Sequence, residues 1–190
     1  MKFDKNYLII FAIIFILLIV VIYAFSGRFD MSRNNSEVKK VLLETNKGNI
    51  TIQLYGDMPI TAGNFEKLVD KGFYDGIIFH RIIDGFMIQG GDPTGTGTGE
   101  LGYVIKDEFS HKGGNKNNRG TISMANAGPN TGGSQFFINL KDNNFLDSKH
   151  PAFGEVVEGM DIVDAIAKVE TNSNDRPISD VVIIKASIME

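Results

Sequence analysis

The sequence contains no cysteine and no tryptophan, and only five prolines. Without cysteine there is no disulfide, no thiolate nucleophile and no thiol-attached lipid anchor; the absence is compatible with either side of a membrane. Five prolines against 21 glycines point to tight turns between strands, not to a disordered chain. An excess of positive charge is also missing. The formal net charge is −4, and the first 36 residues hold Lys2, Lys5, Arg28 and Arg33 against Asp4 and Asp30, which leaves −6 on residues 37–190. An acidic body with scattered lysines offers no basic face to nucleic acid. His80, His111 and His150 lack close ligand spacing, so no metal is expected. Gly95-Thr96-Gly97-Thr98-Gly99 has the look of a phosphate loop, but Gly-Lys-Ser/Thr and an apolar helix do not follow, and it reads as a flexible surface loop. Ser134 has neither the base nor the elbow of a nucleophile, and Asp107-Glu108 reads as a solvated turn.

What is present begins with one long apolar run. Residues 7–25, from Tyr7 to Phe25, lie in a stretch with no charge between Lys5 and Arg28. A helix of about 20 apolar residues spans the hydrocarbon core of a bilayer, and Tyr7 and Tyr23 sit near its ends, where interfacial aromatics belong. The alternative is a cleaved signal peptide with Ala24-Phe25-Ser26 as the cleavage site, but the apolar region exceeds the roughly 7–15 residues usual for such peptides. The expected organisation is a tail (1–6), a single transmembrane helix acting as signal anchor (7–25), a polar linker (26–37) and a globular domain (38–190). Lys2, Lys5 and the amino terminus favour an inside N-terminus, although Arg28, Arg33, Lys39 and Lys40 weaken the asymmetry. That places the domain outside the cell membrane, with secretion after cleavage as the alternative.

In the globular part, Val38–Thr45 and Asn49–Tyr55 are β-rich runs joined by Asn46-Lys47-Gly48, a hairpin signal. Further strands are predicted at 77–83, 86–90, Ile122–Ala125, Gln135–Asn139, Ala152–Val157 and Val181–Ile188. Helices are predicted over Thr61–Lys71, where Ala62, Phe65, Leu68 and Val69 recur at helical spacing before Gly72, and over Met160–Lys168, with Ile162, Val163 and Ile166 on one face. About eight short strands with two helices imply a mainly β fold, a closed eight-stranded antiparallel β-barrel covered by the helices.

One stretch stands out. In Phe79-His-Arg-Ile-Ile-Asp-Gly-Phe-Met-Ile-Gln-Gly90 an arginine, Arg81, sits in an apolar strand, where a guanidinium is costly to hide. Strand alternation places Arg81 with Phe79 and Ile83, and Ile78, His80 and Ile82 on the other, interior side. Gln135 and Phe137 share one face, leaving Phe136 and Ile138 for the core. Phe86 and Met87 lie on one side only if the chain bends at Asp84-Gly85, which glycine permits. A shallow apolar pocket with a fixed cation at its edge results.

The stretch Phe79–Asp92, the run Ser123-Met-Ala-Asn-Ala-Gly-Pro-Asn-Thr-Gly-Gly-Ser-Gln-Phe-Phe-Ile138 and Phe145-Leu-Asp-Ser-Lys-His150 together strongly resemble the cyclophilin family of peptidyl-prolyl isomerases, over about residues 38–190. The resemblance implies an eight-stranded antiparallel barrel closed at its ends by two helices. It implies Arg81 as the catalytic arginine, Phe86, Met87, Phe137 and Leu146 as walls of a proline pocket, and His150 at its rim. Gln89 and Gln135 would be side-chain partners of the bound peptide, and Asn126 the residue whose backbone holds it. Ala125 and Ala127 would flank Asn126 beside the neighbouring subsite. It implies no cofactor, with proline-containing peptides and folding proteins as partners of a monomeric enzyme. One departure is Phe145, where the family often has a tryptophan whose indole donates a hydrogen bond to cyclosporin. Phenylalanine has no such donor, so cyclosporin binding is expected to weaken while isomerase activity survives. A proline-peptide binding module is the competing expectation; it would not require an arginine addressed to a twisted nitrogen.

Overall fold

The computed structural model describes residues 39–189, so the apolar segment 7–25 and the linker 26–37 lie outside the described residues. Among the described residues no helix is long and apolar enough to cross a membrane. The domain opens with the expected hairpin: β1 (Lys40–Thr45) pairs with β2 (Gly48–Leu54) from Lys40–Gln53 to Thr45–Gly48. Then come α1 (Thr61–Asp70), β3 (Arg81–Ile83), β4 (Met87–Gly90), β5 (Thr121–Met124), β6 (Phe136–Asn139), a 3-10 turn (Asn144–Leu146), β7 (Ala152–Glu158), α2 (Met160–Ala167) and β8 (Ile183–Met189). The strands form one sheet in the order β3-β4-β6-β5-β7-β2-β1-β8, with every ladder antiparallel.

The barrel is not closed. β3 and β8 end the strand order and share no ladder, so the sheet is a curled half-barrel. The seam between them is crossed by an isolated Ile78–Val182 bridge and by bonds such as Phe79 N–H to Val181 O at 2.8 Å. The strand expected over 77–83 is regular only from Arg81 to Ile83, too short to run along the seven residues of β8.

That shortening also shifts the alternation. Phe79 and Ile82 are both in the core, while Ile78, expected inside, is only half-buried. The pattern slips by one residue before Arg81. Elsewhere period two holds, with Ile88, Ile122, Phe136 and Ile138 fully or almost fully buried on the inner face. Each such side chain contributes roughly 1.5–3 kcal/mol of burial. α1 closes this layer with Phe65, whose ring lies 5.0 Å from Tyr74, 5.4 Å from Phe136 and 5.2 Å from Phe153. Its C-terminus ends as expected at Gly72 (φ +64°), where Gly72 N–H reaches Val69 O and Phe73 N–H reaches Leu68 O; this is the left-handed cap glycine supplies.

The N-terminus of α1 has no capping side chain of its own. Glu108 serves instead, accepting Ile60 N–H at 3.0 Å and Thr61 N–H at 2.8 Å. Glu108 is therefore buried, not part of a solvated turn, because two unpaired helix amides need an acceptor there. α2 packs through Val163 and Ile166, and Ile162 lies so close to Gly48 that a Cβ there would come within 2.6 Å of it.

Candidate active site

The outer face of β3, β4 and β6 gathers the predicted residues by register. Arg81 stands opposite Gln89, Gln89 opposite Phe137, and Ile83 opposite Met87. Met87 and Phe137 are buried, yet neither belongs to the core cluster; they form a separate apolar floor on the outside of the sheet. The bend that Phe86 and Met87 require is present. Gly85 has φ +68°, Phe86 N–H bonds Ile83 O at 3.0 Å, and the Phe86 ring stacks on Phe145 at 6.1 Å.

Arg81 is not hidden. Its side chain is 44 % exposed, and Nε lies 3.4 Å from Asp175 Oδ2. Because β3 is the last strand of the sheet, a long side chain on its outer face reaches solvent, and the desolvation cost inferred for a guanidinium among isoleucines does not arise. Gln89 Nε2 donates to Gln135 Oε1 at 3.0 Å, and Gln135 Nε2 donates onward to Gly97 O at 3.2 Å and Gly99 O at 3.4 Å.

His150 is fixed on three sides. Its Nδ1–H donates to Met124 O at 3.1 Å, its ring meets the Phe137 ring edge-on at 5.4 Å, and its carbonyl accepts from Asn115 and Asn117. Leu146, half-buried in the 3-10 turn, holds the same segment by accepting the Lys149 and His150 amides. Asn126 anchors by its side chain, which donates to Lys149 O at 2.8 Å. Its main-chain N–H and C=O make no hydrogen bond among the described residues. Ala125 N–H bonds Gln135 O, and Ala127 N–H bonds Thr131 Oγ1.

A cavity of about 630 Å³ adjoins this floor on the far side of Gln89, Gln135 and Ala125–Ala127, and is otherwise lined by residues 97–104, Thr131, Gly133 and Ser134. Arg81, Phe86, Met87, Phe137, Leu146 and His150 do not line it. This cavity is thus a neighbour of the apolar floor, and Gln89 and Gln135 line the side they share.

The glycine-rich loop over 95–99 is not a free surface loop. It wraps around the Asp92 carboxylate, which accepts Thr94 N–H (2.7 Å), Thr94 Oγ1 (2.9 Å), Gly97 N–H (2.5 Å) and Gly99 N–H (3.0 Å). Burial of Asp92 would raise its pKa, but these four donors outweigh it and hold the value at about 2. Neither Asp92 nor Asp175 was singled out by sequence reasoning. Asp92 carries a local signal, an acid directly after the Gly90-Gly91 exit of a strand; Asp175, 94 residues from Arg81, carries none.

The chain is similar to known proteins in both sequence and fold. Residues 40–188 match the family model described as cyclophilin type peptidyl-prolyl cis-trans isomerase. Human peptidyl-prolyl cis-trans isomerase-like 1 is 50 % identical over 150 residues, covering 77 % of this chain and 90 % of the relative. The protein of the same name from Aspergillus fumigatus is 47 % identical over 154 residues, covering 79 % and 95 %. Among solved structures, a cyclophilin type peptidyl-prolyl cis-trans isomerase from Cryptosporidium parvum has a TM-score of 0.76 at 34 % identity, covering 80 % of this chain and 98 % of its own. The same protein in the presence of the dipeptide Ala-Pro gives 0.75.

Proposed function

The chain belongs to the cyclophilin type peptidyl-prolyl cis–trans isomerases and is an enzyme of that type; from that premise we propose that Arg81 drives the rotation, and that the enzyme works at a membrane surface on proteins folding after export. The bond before proline must lose amide resonance to rotate, against a barrier of roughly 18–20 kcal/mol, and uncatalysed exchange takes tens to hundreds of seconds. As the bond twists, the proline nitrogen becomes pyramidal and gains a lone pair. Arg81 donates to that lone pair, an interaction stronger in the twisted state than in the planar one. Phe86, Met87, Phe137 and Leu146 grip the proline ring and exclude water that would compete for the donor. Gln89, Gln135 and the Asn126 main chain hold the flanking peptide, with Ala125 and Ala127 beside it and His150 at the rim. Lowering the barrier by about 7 kcal/mol gives roughly five decades of acceleration. No nucleophile, proton transfer or cofactor takes part.

The observation that carries this reading is the register of Arg81 with Gln89 and of Gln89 with Phe137. Among the described residues the guanidinium has a partner only at Nε. Arg81→Ala should lower kcat/KM for a prolyl peptide by about 100-fold or more, with peptide Kd changed only modestly. Wild-type turnover in that variant would overturn the assignment. The membrane placement is supported by the apolar run 7–25 and the positive residues before it. A protease added to intact cells should digest the domain, and protection until the cells are ruptured would overturn the external placement.

A further inference from the structure

Among the described residues outside the proposed pocket, the Asp175 side chain reaches Arg81. Asp175 lies in the loop between α2 and β8, with Oδ2 3.4 Å from Arg81 Nε and both side chains partly exposed. Asp84, in the β3–β4 turn, is engaged by Lys168 at 2.7 Å, so Asp175 is the carboxylate that Arg81 meets among the described residues.

The loop is built to keep Asp175 there. Its carbonyl accepts Ile82 N–H at 2.8 Å, which docks the loop main chain on β3 one residue beyond Arg81. Asp175 N–H donates to Asn172 O at 3.0 Å, and the Asn172 side-chain oxygen accepts the amides of Asn174 and Arg176. Arg176 then ties the loop to the glycine-rich segment through Gly95 O at 2.7 Å. Asp175 also has φ +60°. Glycine adopts that left-handed conformation without strain, and asparagine and aspartate are the other residues that visit it most readily. The turn alone is satisfied by glycine; the carboxylate is what is added.

We propose that Asp175 is a positioning residue for the isomerisation, holding the Arg81 guanidinium by its Nε edge so that the two Nη groups are presented to the proline pocket. The inference rests on Arg81 being the donor. A long, exposed side chain must give up rotamer freedom to meet a nitrogen lone pair that exists only in the twisted amide. A carboxylate on its Nε edge orders the planar fork before the peptide arrives. Since the pair is solvent-exposed, its effect is modest, about three- to fivefold in rate.

The test uses two substitutions that keep the left-handed backbone. Asp175→Gly removes the carboxylate, and Asp175→Asn keeps its shape and an acceptor oxygen. Asp175→Gly should lower kcat/KM on a prolyl peptide by about three- to fivefold, leaving Tm and peptide Kd unchanged, and should speed exchange of the Arg81 Nε–H proton with water in NMR spectra. Asp175→Asn should recover activity to within about twofold. In an Arg81→Ala background Asp175→Gly should cause no further loss, since the two act as one unit. The proposal is overturned if Asp175→Gly turns over at the wild-type rate. It is equally overturned if the loss persists undiminished without Arg81, or if it merely follows a fall in Tm. An inactive Arg81→Ala beside a fully active Asp175→Gly removes this inference alone; an active Arg81→Ala removes the assignment of Arg81 itself.

Discussion

Replacing Asp92 by asparagine should unfasten the 94–99 loop, which lines the cavity beside the apolar floor, and change how the domain responds to acid. Asp92 is 1 % exposed and accepts four hydrogen bonds from residues 94–99. An unperturbed aspartate titrates near 3.9, against about 2 here. A gap of nearly two units corresponds to about 2.5 kcal/mol favouring the folded state with Asp92 charged. The folded value is the depressed one. The stabilisation is therefore fully present above the unfolded pKa and is lost as pH falls from about 4 through about 2. Asparagine keeps the shape, but it replaces a charged acceptor with a neutral one and points an amide at donors. At pH 7 the expected cost is about 2–3 kcal/mol, or roughly 5–10 °C in Tm for a domain of this size.

The assay is urea unfolding of both proteins at pH 7 and at steps from pH 5 to 2.5. Asp57, Asp147 and Asp164 are also held below the usual carboxylate range, and they titrate in wild type and variant alike. The difference between the two curves therefore isolates Asp92. Wild type should lose about 2 kcal/mol more than the variant across that window. Activity should fall as well, because Gln135 is steadied by the carbonyls of Gly97 and Gly99 and in turn receives Gln89. Parallel curves, or a variant within about 0.5 kcal/mol of wild type at pH 7, would refute the claim that the carboxylate holds the loop.

Three further outcomes follow from the geometry. Gly91→Ala should cost about 3 kcal/mol or more, since φ is +86° and a Cβ would stand 2.3 Å from Ser134 O; a Tm close to wild type would show that the exit of β4 can shift. Glu108→Ala should destabilise by about 1–2 kcal/mol by leaving the Ile60 and Thr61 amides unpaired, and urea unfolding reads this directly. Phe145, 67 % exposed on the rim, offers no donor, so Phe145→Trp should tighten cyclosporin inhibition with little change in kcat/KM; unchanged inhibition would count against the expectation.

How far the sequence could be read depended on whether the relevant constraint was local. The β1–β2 hairpin, α1 with its Gly72 end, and the inward Phe136 and Ile138 all follow from patterns within a dozen residues, and the structure has them. The faces of 77–83 do not. Alternation presumes a continuous strand, whereas this one becomes regular only at Arg81, which moved Phe79 inward and left Ile78 half-buried. Counting strands gave the right number but not their lengths, and length decides whether the sheet closes. Glu108 looked solvated because its partners, Ile60 and Thr61, lie 48 and 47 residues away. The residues proposed for the pocket lie in long motifs; Asp92 holds Thr94, Gly97 and Gly99 from within seven residues, whereas Asp175 reaches Arg81 across 94 residues, a distance that no spacing encodes.

The supports show what such a site demands. A reaction without a covalent intermediate leaves the protein placement and electrostatics to contribute, so the proposed walls must be held as firmly as the proposed donor. Beside the apolar floor, Thr121, Ser123 and Asn139 are buried on the same face of the sheet, turned away from the core. Asn139 donates to both hydroxyls and accepts from Asn143 at 2.9 Å. Asn143 also donates to the Phe86 carbonyl at 2.9 Å, which takes a second bond from Leu140 N–H at 3.0 Å. An apolar filling would exclude water equally well but would leave that carbonyl held by Leu140 N–H alone, whereas each buried bond is directional and costs about 1–3 kcal/mol to leave unmade. On the opposite wall Asn115 and Asn117 do the same for the His150 carbonyl. The amides thus fix where Phe86 and His150 stand, and with them the width of the space between.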